Sequence, residues 1–381
     1  MAKLVDVESI ASYFQSLSDP RHTRNRKHRL ADIAVIGVAA IICGCDGPTA
    51  IHRWAVNRAG WLAERLPLEN GIPSRDCIRR VLMALKPEAF QQCFRNWIAA
   101  ARPADDHADG RLVAIDGKTC RRSHDAGHHL GALHVVSAWA SEEGVALGQV
   151  ATDDKSNEIT AIPELLRRIA LTDTIVTIDA LGCQKDIVEQ VVAGGGDCVI
   201  AVKANQPKLH AAIAAFFDEQ LERDFDDLRY RHAETTDGGH GRVDERAYFL
   251  AKLPRDFAPA DDWPDIKAIG YAIRLTTHAD GRESCEARYY ISTRYLSGKR
   301  FAEAVRSHWA IESMHWVLDV TFREDESRTR ERTLGNNLSW LRRFAVTLLK
   351  RHPINDSIRG KMLRCSYNTD FLTEVLDLQR D

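Results

Sequence analysis

The order of apolar segments between residues 111 and 221 constrains the fold of this chain more than any other feature of the sequence. Three short β-rich runs come first, and helical and β-rich segments then alternate, which gives the order β-β-β-α-β-α-β-α. Three meandering strands followed by crossover connections predict a mixed sheet that is covered by helices. We therefore expect an α/β core inside a chain that is α+β overall.

The segments on either side of this core have different patterns, and they divide the 381 residues into four regions. Residues 1–102 are predicted to be helical, and residues 108–221 form the first part of the core. Residues 222–298 are predicted to be a β-rich insertion, and residues 299–381 should return to helices and end in a short basic tail. Residues 103–110, rich in Asp and Ala with a Pro and a Gly, are the predicted linker.

Local signals predict several boundaries. Ser74 is the predicted N-cap of the helix that follows it, and Asp32 is the predicted cap of an earlier helix. Ser156 or Asn157 would cap a third helix, which begins near Glu158. Three strands are predicted in the β-rich region, over residues 242–250, 266–277 and 285–292. Two later helices are predicted over residues 301–320 and 334–350.

The balance of charge excludes a chain that is coated with basic residues, because 52 Lys and Arg face 54 Asp and Glu, for a net charge of −2. A local basic run is nevertheless present over residues 21–29. Charge alone favours phosphate contact and a solvated linker about equally for this run.

Three features predict a cytoplasmic protein without a membrane partner. The nine cysteines include no Cys-x-x-Cys pair, and their odd number is typical of a reducing compartment. The first ten residues contain acidic side chains and lack the apolar stretch of a signal peptide. The most apolar run, residues 33–45, is too short and too interrupted by glycine to span a bilayer.

Two aspartates directly follow apolar strands, since the run 112–115 ends at Asp116 and the run 174–178 ends at Asp179. The first and fourth strands of this order are sheet neighbours, so we expect their last residues to lie side by side. Two close carboxylates repel each other unless a proton or a hard divalent cation intervenes. Each aspartate alone is also explained as a loop residue, but the pair favours an acidic metal site.

A third candidate comes from the predicted helix over residues 301–320. Its polar stripe consists of His308, Glu312, His315 and Asp319. The opposite side is the predicted core face and carries Val305, Trp309, Trp316 and Val320. A solvated face is usually rich in Lys, Glu and Arg, so histidines with carboxylates favour a metal or active-site face. A plain surface stripe is the alternative.

Other candidate groups are weaker. Four histidines cluster without the spacing of a structural zinc site, and we interpret them as loop residues that approach either DNA or the site: His124, His128, His129 and His134. Cys183 has no neighbouring histidine and is interpreted as structural. The absence of a Gly-x-Ser-x-Gly motif removes the commonest signature of serine hydrolases.

Short motifs along almost the whole chain resemble those of bacterial insertion-sequence transposases of the ISAs type, the group that includes the H-repeat-associated proteins. The matching stretches are Asp19-Pro-Arg21, Gly71-Ile-Pro-Ser74 with Asp76, Ala114-Ile-Asp-Gly-Lys-Thr119, Lys155-Ser-Asn-Glu-Ile-Thr160, Thr177-Ile-Asp-Ala180 with Gly182-Cys-Gln-Lys185, Val202-Lys203 with Asn205-Gln206, His240-Gly-Arg242, Arg288-Tyr-Tyr-Ile-Ser292, and His308-Trp-x-Ile-Glu312 with His315-Trp316 and Leu318-Asp-Val320. The resemblance implies a ribonuclease-H-like core of the DDE type, interrupted by a β-rich insertion. It also implies a helical amino-terminal region that binds the ends of the element.

Carried over by position, Asp116 and Asp179 match the first two acids of the DDE site, and Glu312 matches the third. Glu324 and Asp325 are the alternatives for the third acid. The step from Glu312 to the following His-Trp is three residues here, where the family pattern has four. Both offsets keep the histidine near the glutamate's face of a helix.

The chain also departs from the Tyr-x2-Arg-x3-Glu-x6-Lys signature of related transposases. The slots around the glutamate hold Val305, His308 and Asp319. Basic support would then come from Arg323 or Arg328.

The mechanism implied is metal-dependent transposition on DNA. Asp116, Asp179 and Glu312 would hold two Mg²⁺ ions about 3.5–4 Å apart, and Mn²⁺ would be able to substitute. The protein would cut DNA at the element's ends and join each freed 3′-hydroxyl to target DNA. Holding two ends together implies at least a dimer on DNA, in a bacterial protein associated with the nucleoid.

Two sets of basic residues are expected to contact DNA. The first set is Arg21, Arg24, Arg26, Lys27, Arg29, Lys118, Lys203, Arg323 and Arg328. For Lys118 and Lys203, an ordinary surface lysine without a DNA contact is an equally good interpretation. The second set would bind DNA independently of its base sequence. Its members are Arg342, Arg343, Lys350, Arg351, Arg359, Lys361 and Arg364. Two rival functions remain, a nuclease that cuts but never joins and a DNA-binding remnant that has lost catalysis.

Overall fold

The computed structural model describes residues 10–100, 109–152, 158–226, 228–239 and 241–377. The predicted caps Ser156 and Asn157 lie outside the described residues, as does most of the predicted linker. None of the described helices combines the length and the hydropathy that a bilayer crossing requires.

Nine strands within these residues form a single sheet. They are β1 (Arg111–Cys120), β2 (Leu133–Ala140), β3 (Val145–Thr152), β4 (Thr174–Ile178), β5 (Asp197–Val202), β6 (Tyr230–Gly239), β7 (Arg242–Lys252), β8 (Ala268–His278) and β9 (Glu283–Ser292). Their order across the sheet is β3-β2-β1-β4-β5-β9-β8-β7-β6. The sheet is mixed, because β1, β4 and β5 run parallel and the other neighbouring strands pair antiparallel.

The first five strands have the ribonuclease-H-like arrangement that was expected. β1 lies at their centre, with antiparallel β2 on one side and parallel β4 on the other. All eight residues of β2 and all five of β4 are buried. Continuous apolar strands of this kind require cover on both faces of the sheet. The prediction of a mixed sheet flanked by helices is confirmed.

The β-rich insertion extends the core sheet and does not form a separate layer. β9 pairs with β5, with Val202 opposite Tyr289, and β8, β7 and β6 follow as an antiparallel meander. The sequence analysis predicted three of these four strands and missed β6. This strand is the outer edge of the sheet and is exposed at most positions, so it lacks the apolar alternation on which strand prediction depends.

The helices of the described residues are α1 (Ile10–Tyr13), α2 (Leu30–Ile42), α3 (Pro48–Asn57), α4 (Ala59–Ala63), α5 (Arg75–Ala84), α6 (Pro87–Ala100), α7 (Glu158–Leu166), α8 (Lys185–Ala193), α9 (Pro207–Glu222), α10 (Gly298–Val320), α11 (Arg332–Arg351), α12 (Ile358–Tyr367) and α13 (Thr369–Asp377). Ser74 caps α5 as predicted, because its Oγ accepts a hydrogen bond from the backbone N–H of Cys77 at 3.2 Å. The predicted cap Asp32 is wrong. Arg29 is the N-cap residue of α2, and Asp32 lies buried in its first turn.

The amino-terminal helices share one hydrophobic core with the last helices of the chain. All thirteen residues of α2 are buried, and α2 packs against α11. Phe94 of α6 and Phe344 of α11 have ring centroids 4.1 Å apart. The predicted basic tail is wrong, because the residues after α11 fold into α12 and α13 and fully bury Cys365, Leu372 and Val375.

Helix α10 crosses the sheet beside β1 and β4, and its buried face changes along its length. Its first turns pack on the insertion strands, and Gly270 of β8 is needed there because a Cβ would lie 2.4 Å from the Phe301 ring. Its later turns enter the core of the terminal helices through Ile311, Met314 and Leu318. The predicted core face is therefore wrong for Trp316, which is 62% exposed, and for Val320.

Candidate active site

Asp116 and Asp179 lie side by side on neighbouring parallel strands. β1 and β4 pair as far as Ile115 opposite Ile178, so the next residue along each strand is the aspartate. β4 ends at this point, whereas β1 continues beyond Asp116 because it is still paired with β2. The expectation that Asp116 ends its strand is wrong, but its position beside Asp179 is as expected.

The two aspartates line a cavity of about 240 Å³ that Glu312 also lines. They come from β1 and from the end of β4, while Glu312 comes from α10 and is exposed to solvent. Three elements that are distant in sequence therefore converge on one space. Basic and aromatic side chains complete the lining, among them Lys203, His210, Arg288, Tyr289, His308 and Trp309.

The histidines of the α10 stripe face the aspartates. His315 Nδ1 lies 3.4 Å from Asp116 Oδ2. Burial by itself would raise the pKa of Asp116, but the hydrogen bond and charge of His315, together with the charge of His308, hold this pKa below its ordinary value. His308 and Glu312 line the cavity and His315 contacts Asp116, so the stripe is not a plain surface stripe at these positions.

The pKa of Asp179 is shifted in the opposite direction. Burial and the negative charge of Asp116 raise the pKa of Asp179. Its Oδ1 accepts a hydrogen bond from the backbone N–H of Leu181 at 3.0 Å, which holds the side chain at the end of β4. The pair therefore carries a mutual repulsion that a cation placed between the carboxylates would relieve.

The insertion strands hold the turn of α10 that carries Glu312. Trp309, one turn earlier, lies against the guanidinium groups of Arg246, Arg274 and Arg288, with Cζ atoms 5.4, 5.6 and 5.6 Å from the ring centroid. We call these four residues the arginine clasp. Cation–π attraction of this kind stabilises both the ring and the cations around it. The sequence analysis missed it, since Trp309 resembles a core residue and the arginines come from β7, β8 and β9.

A second group of carboxylates lies at the end of α10 and in the segment that follows it, and basic side chains of β1 and α11 neutralise it. Lys118 Nζ lies 2.6 Å from Asp319 Oδ1 and 2.9 Å from Asp325 Oδ1. Glu324 is fully buried, with Oε1 3.3 Å from Arg343 Nη1. We call this group the buried charge cluster, and its members are Lys118, Asp319, Glu324, Asp325, Arg342 and Arg343.

The electrostatics of this cluster separate Glu324 from the cavity. Burial by itself would raise the pKa of Glu324, but the charges of the two arginines and of Lys118 lower it to about 2. Neither Glu324 nor Asp325 lines the cavity of the two aspartates, whereas Glu312 does. The geometry therefore favours Glu312 as the third acid.

Several basic residues predicted to grip DNA are buried, and for these the prediction of a surface position is wrong. Arg342 and Arg343 are almost completely buried beside Glu324. Lys361 is buried, and its Nζ donates hydrogen bonds to backbone carbonyls, including that of Leu349 at 3.0 Å. Lys118 is only 7% exposed because three carboxylates surround its ammonium.

Most of the first set of predicted DNA contacts does lie at the surface. The exposed members are Arg24, Arg26, Lys27, Arg29, Lys203, Arg323 and Arg328. Arg21 differs, because its guanidinium is held by the Asp19 carboxylate at 2.7 Å and donates to the His28 carbonyl at 2.7 Å. Arg323 forms an ion pair with Glu326.

Glu158 is a buried carboxylate that the sequence analysis did not assign to the site. His134 Nε2 lies 2.5 Å from Glu158 Oε1, and both side chains are buried. Gly117 leaves room for this pair, because a Cβ there would lie 2.2 Å from Glu158 Oε1. The interpretation of His134 as a loop residue is wrong, since it lies in β2. Successive strand residues face opposite sides, so the pair supports β1 from the face away from Asp116.

Among the described residues, no three His, Cys, Asp or Glu side chains are grouped closely enough to hold one metal ion. The donor set still suits a hard divalent cation, because two neighbouring carboxylates offer oxygen ligands. Burial and the charge of Asp116 raise the pKa of Asp179, and a bound cation would oppose both effects.

Two family models match the chain. One is described as a Transposase DDE domain and matches residues 107–348. The other is described as DDE_Tnp_1-associated and matches residues 11–98. The first model therefore spans the cavity residues and the strands and helices that carry them.

Similar proteins come from Escherichia coli. YncI of E. coli O157:H7 is named as a transposase. It is 37% identical over 98% of this chain and 95% of its own length. YhhI of strain K12, which carries the name of an H repeat-associated transposase, is 33% identical over 98% of both chains. YbfL of the same strain is 32% identical over 98% of both chains. The chain belongs to the ISAs1-type, H-repeat-associated family of DDE transposases.

Proposed function

We propose that this chain is a metal-dependent transposase that cleaves DNA at the ends of its insertion element and joins each freed 3′-hydroxyl to target DNA. The observation that carries this proposal is the convergence of Asp116, Asp179 and Glu312 on one cavity. Membership of a DDE transposase family supports the same class of reaction.

Asp116, Asp179 and Glu312 would hold two divalent ions, Mg²⁺ or Mn²⁺, because hard cations prefer carboxylate oxygen as a ligand. When bound, such ions lower the pKa of the attacking water or 3′-hydroxyl and stabilise the charge on the leaving oxygen. His315 and the backbone N–H of Leu181 orient the two aspartates before substrate arrives. This preorganisation reduces the movement that the site must make during the reaction.

Lys203 lines the same cavity, is exposed, and would offer a compact positive charge to the phosphate that reacts. Arg288 also lines the cavity, but its guanidinium is paired with Glu286 and lies over the Trp309 ring. Water attacks phosphorus first, and its oxygen replaces the bridging oxygen at the element's end. The freed 3′-hydroxyl then attacks a target phosphate, and one phosphorus–oxygen bond again replaces another.

No covalent protein–DNA intermediate is needed in this scheme. Cys183, the cysteine nearest Asp179 in sequence, is fully buried, and burial raises the pKa of its thiol to about 12. A thiol in this setting is not ionised at neutral pH and is a poor nucleophile.

The proposal includes the division of the chain into four regions, with residues 1–102 as the part that binds the element's ends. The exposed basic residues of segment 21–29 and the cavity-lining Lys203 would meet phosphate groups. Joining two ends requires two active sites, so we propose at least a dimer on DNA, in the bacterial cytoplasm where the element's DNA lies.

The test uses the purified full chain, duplexes that carry the element's ends, a target plasmid, and Mg²⁺ or Mn²⁺. The variants are Asp116→Asn, Asp179→Asn and Glu312→Gln. Matched controls are Asp186→Asn and Glu189→Gln, which change exposed acids on α8. Wild type and controls should nick and join DNA, and each site variant should lose about 10³-fold or more in rate while still binding DNA.

Other outcomes contradict the proposal in distinct ways. Metal-dependent cutting without any joining by the wild type would indicate a nuclease. Binding of the ends with neither reaction under either metal would indicate an inactive remnant. Joining that survives Glu312→Gln but is lost in Asp116→Asn would move the third acid to Glu324 or Asp325.

A further inference from the structure

We propose that helix α5 reads the sequence of the element's end by lying in the major groove of duplex DNA, between two segments that hold the phosphate backbones. The proposal rests on the proposed function, because it takes the DNA of an element end as the substrate. The reading surface consists of Arg75, Asp76, Arg79 and Arg80, and we call it the α5 face.

One side of helix α5 is buried against other helices, and the opposite side is exposed to solvent. Ile78, Val81 and Leu82 are buried, and the helix packs against α3 and α11, so its orientation is fixed. All four residues of the α5 face are exposed. The major groove admits an α-helix, and arginine is the side chain that most often pairs bidentately with guanine there.

The basic segment of residues 21–29 is docked against the start of α5. Asn70 donates a hydrogen bond to the carbonyl of Lys27, and Arg21 Nη1 lies 4.0 Å from Cys77 Sγ on α5. Asp19 forms an ion pair with the same arginine, so the largely buried Arg21 side chain connects the segment to α5. The segment carries four further exposed cations, Arg24, Arg26, Lys27 and Arg29, of which Arg26 donates to the carbonyls of Asp19 and Arg21. Because the segment is docked at the start of α5, we expect Arg24, Lys27 and Arg29 to meet phosphates that flank the groove.

A cleft of about 810 Å³ borders the other side of α5. Arg75 and Arg79 line it from the helix, and residues 321–323 and 326–331, from the connection between α10 and α11, line it from the opposite side. Arg328 lies in this second wall and is exposed. Hydroxyl groups in the lining add further donors suited to phosphate oxygens, and they belong to Thr49, Thr321, Ser327 and Thr329.

Most of the acidic residues that line the cleft interact with a neighbouring arginine or with backbone N–H groups, so they do not neutralise the other cations of the cleft. Three of the four that line it have partners, namely Asp76 with Arg75, Glu326 with Arg323, and Glu331 with the first backbone N–H groups of α11. Within the described residues, Arg79 and Arg328 form no ion pair. Their guanidinium groups are therefore available to bases and phosphates.

The connection between α10 and α11, which borders this cleft, also contacts the strand of the proposed catalytic site. Asp325 belongs to this connection without lining the cleft, and its Oδ1 lies 2.9 Å from Lys118 Nζ. Lys118 lies two residues after Asp116 on β1.

The experiment measures binding of the full chain by fluorescence anisotropy, in EDTA so that no cutting occurs. The probes are a duplex with the terminal sequence of the element that encodes the chain and a shuffled duplex of the same composition. The variants are Arg79→Ala, Arg79→Lys and Arg328→Ala. Arg167→Ala is the matched control, because Arg167 is exposed and lines neither the cleft nor the cavity.

Arg79→Ala should reduce the preference for the end duplex over the shuffled duplex by about 10- to 100-fold. Arg79→Lys should keep its affinity for the shuffled duplex but lose the preference, because lysine retains the charge without the bidentate fork. Arg328→Ala should weaken binding to both duplexes equally and reduce the salt-dependence slope by about one. Arg167→Ala should bind as the wild type does.

The inference is overturned if both Arg79 variants, folded by their melting temperature, keep the wild-type preference. It is also overturned if Arg79→Ala weakens both duplexes equally, since α5 would then contact phosphate alone, or if the wild type itself shows no preference. These failures leave metal-dependent cutting and joining by the wild type intact. Failure of the proposed function would appear instead as loss of that chemistry in the wild type.

Discussion

The acid site and the buried charge cluster both use β1 and α10 and have opposite properties. Asp116 and Lys118 lie two residues apart on one face of β1, and Glu312 and Asp319 lie two turns apart on α10. In the acid site, carboxylates lie beside each other and line an open cavity. In the buried charge cluster, each carboxylate lies beside a lysine or an arginine. Carboxylates that the protein neutralises stabilise the fold, whereas those it leaves in repulsion are prepared for a cation from solution.

The buried charge cluster also fixes where the acid site forms. Helix α10 meets β1 twice, with His315 at Asp116 and Asp319 at Lys118. The residue spacings of a helix and of a strand are fixed, so the second contact sets the register of the first. Changes in the cluster should therefore affect the whole fold, and changes in the acid site should affect chemistry with little cost to folding.

The largest difference in stability is expected when the same substitution is made in each region. Glu324→Gln should lower the free energy of unfolding by about 3–5 kcal/mol, because it leaves Arg343 buried without its charge partner. Glu312→Gln changes an exposed side chain and should stay within about 0.5 kcal/mol of the wild type. Urea denaturation measures both, and equal losses in the two variants would show that the regions do not differ.

The pH dependence of stability sharpens the same contrast. The pKa of Glu324 falls from 4.5 to about 2 on folding, so its ionised form stabilises the protein above about pH 4.5, and this stabilisation is lost as the pH falls toward 2. The gap in free energy of unfolding between wild type and Glu324→Gln should shrink by on the order of 3 kcal/mol from about pH 6 to pH 2. Denaturation curves across this range test it, and a gap independent of pH would contradict the role of Glu324.

The arginine clasp predicts a difference between two tryptophans on one helix. Trp309→Phe should lower the free energy of unfolding by about 1 kcal/mol, because phenylalanine binds the surrounding guanidinium groups less strongly than tryptophan. Trp316→Phe should change it by less than about 0.5 kcal/mol, since that side chain is largely exposed. Thermal unfolding measures both, and a larger loss at Trp316 would contradict the clasp.

The smallest expected effect is an increase in the free energy of unfolding. Asp179→Asn should raise the free energy of unfolding of the metal-free protein by about 1 kcal/mol, because it removes repulsion from Asp116 and keeps an oxygen for the backbone N–H of Leu181. The measurement is urea denaturation in EDTA. Destabilisation by this substitution would mean that Asp179 is a structural carboxylate like Glu324.

The order of the core strands along the chain and the aspartate pair were predictable because both depend on local patterns. Continuous apolar runs predicted the central strands, and the residue after each run was the aspartate. The pairing of Ile115 with Ile178 follows from that order once the sheet forms. The polar stripe of α10 was visible for the same reason, since four residues at helical spacing define one face.

The buried charge cluster was not predictable from local patterns. Lys118 and Asp325 are 207 residues apart, and each resembles a solvated surface charge in its own segment. Arg343 likewise looked like part of a basic surface, although Glu324 holds it inside the protein. The misplacement of Trp316 has a related cause, because the face that α10 buries depends on two different partners along its length.

We expect Asp116 and Asp179 to form the cation site and the buried charge cluster to need no cation. The decisive experiment is calorimetric titration of Mn²⁺ into the DNA-free full chain, with Asp116→Asn and Asp179→Asn beside the control Glu189→Gln. Wild type and control should bind Mn²⁺ alike, and each aspartate variant should bind at least about tenfold more weakly. Equal Mn²⁺ affinity in all four proteins would contradict this expectation.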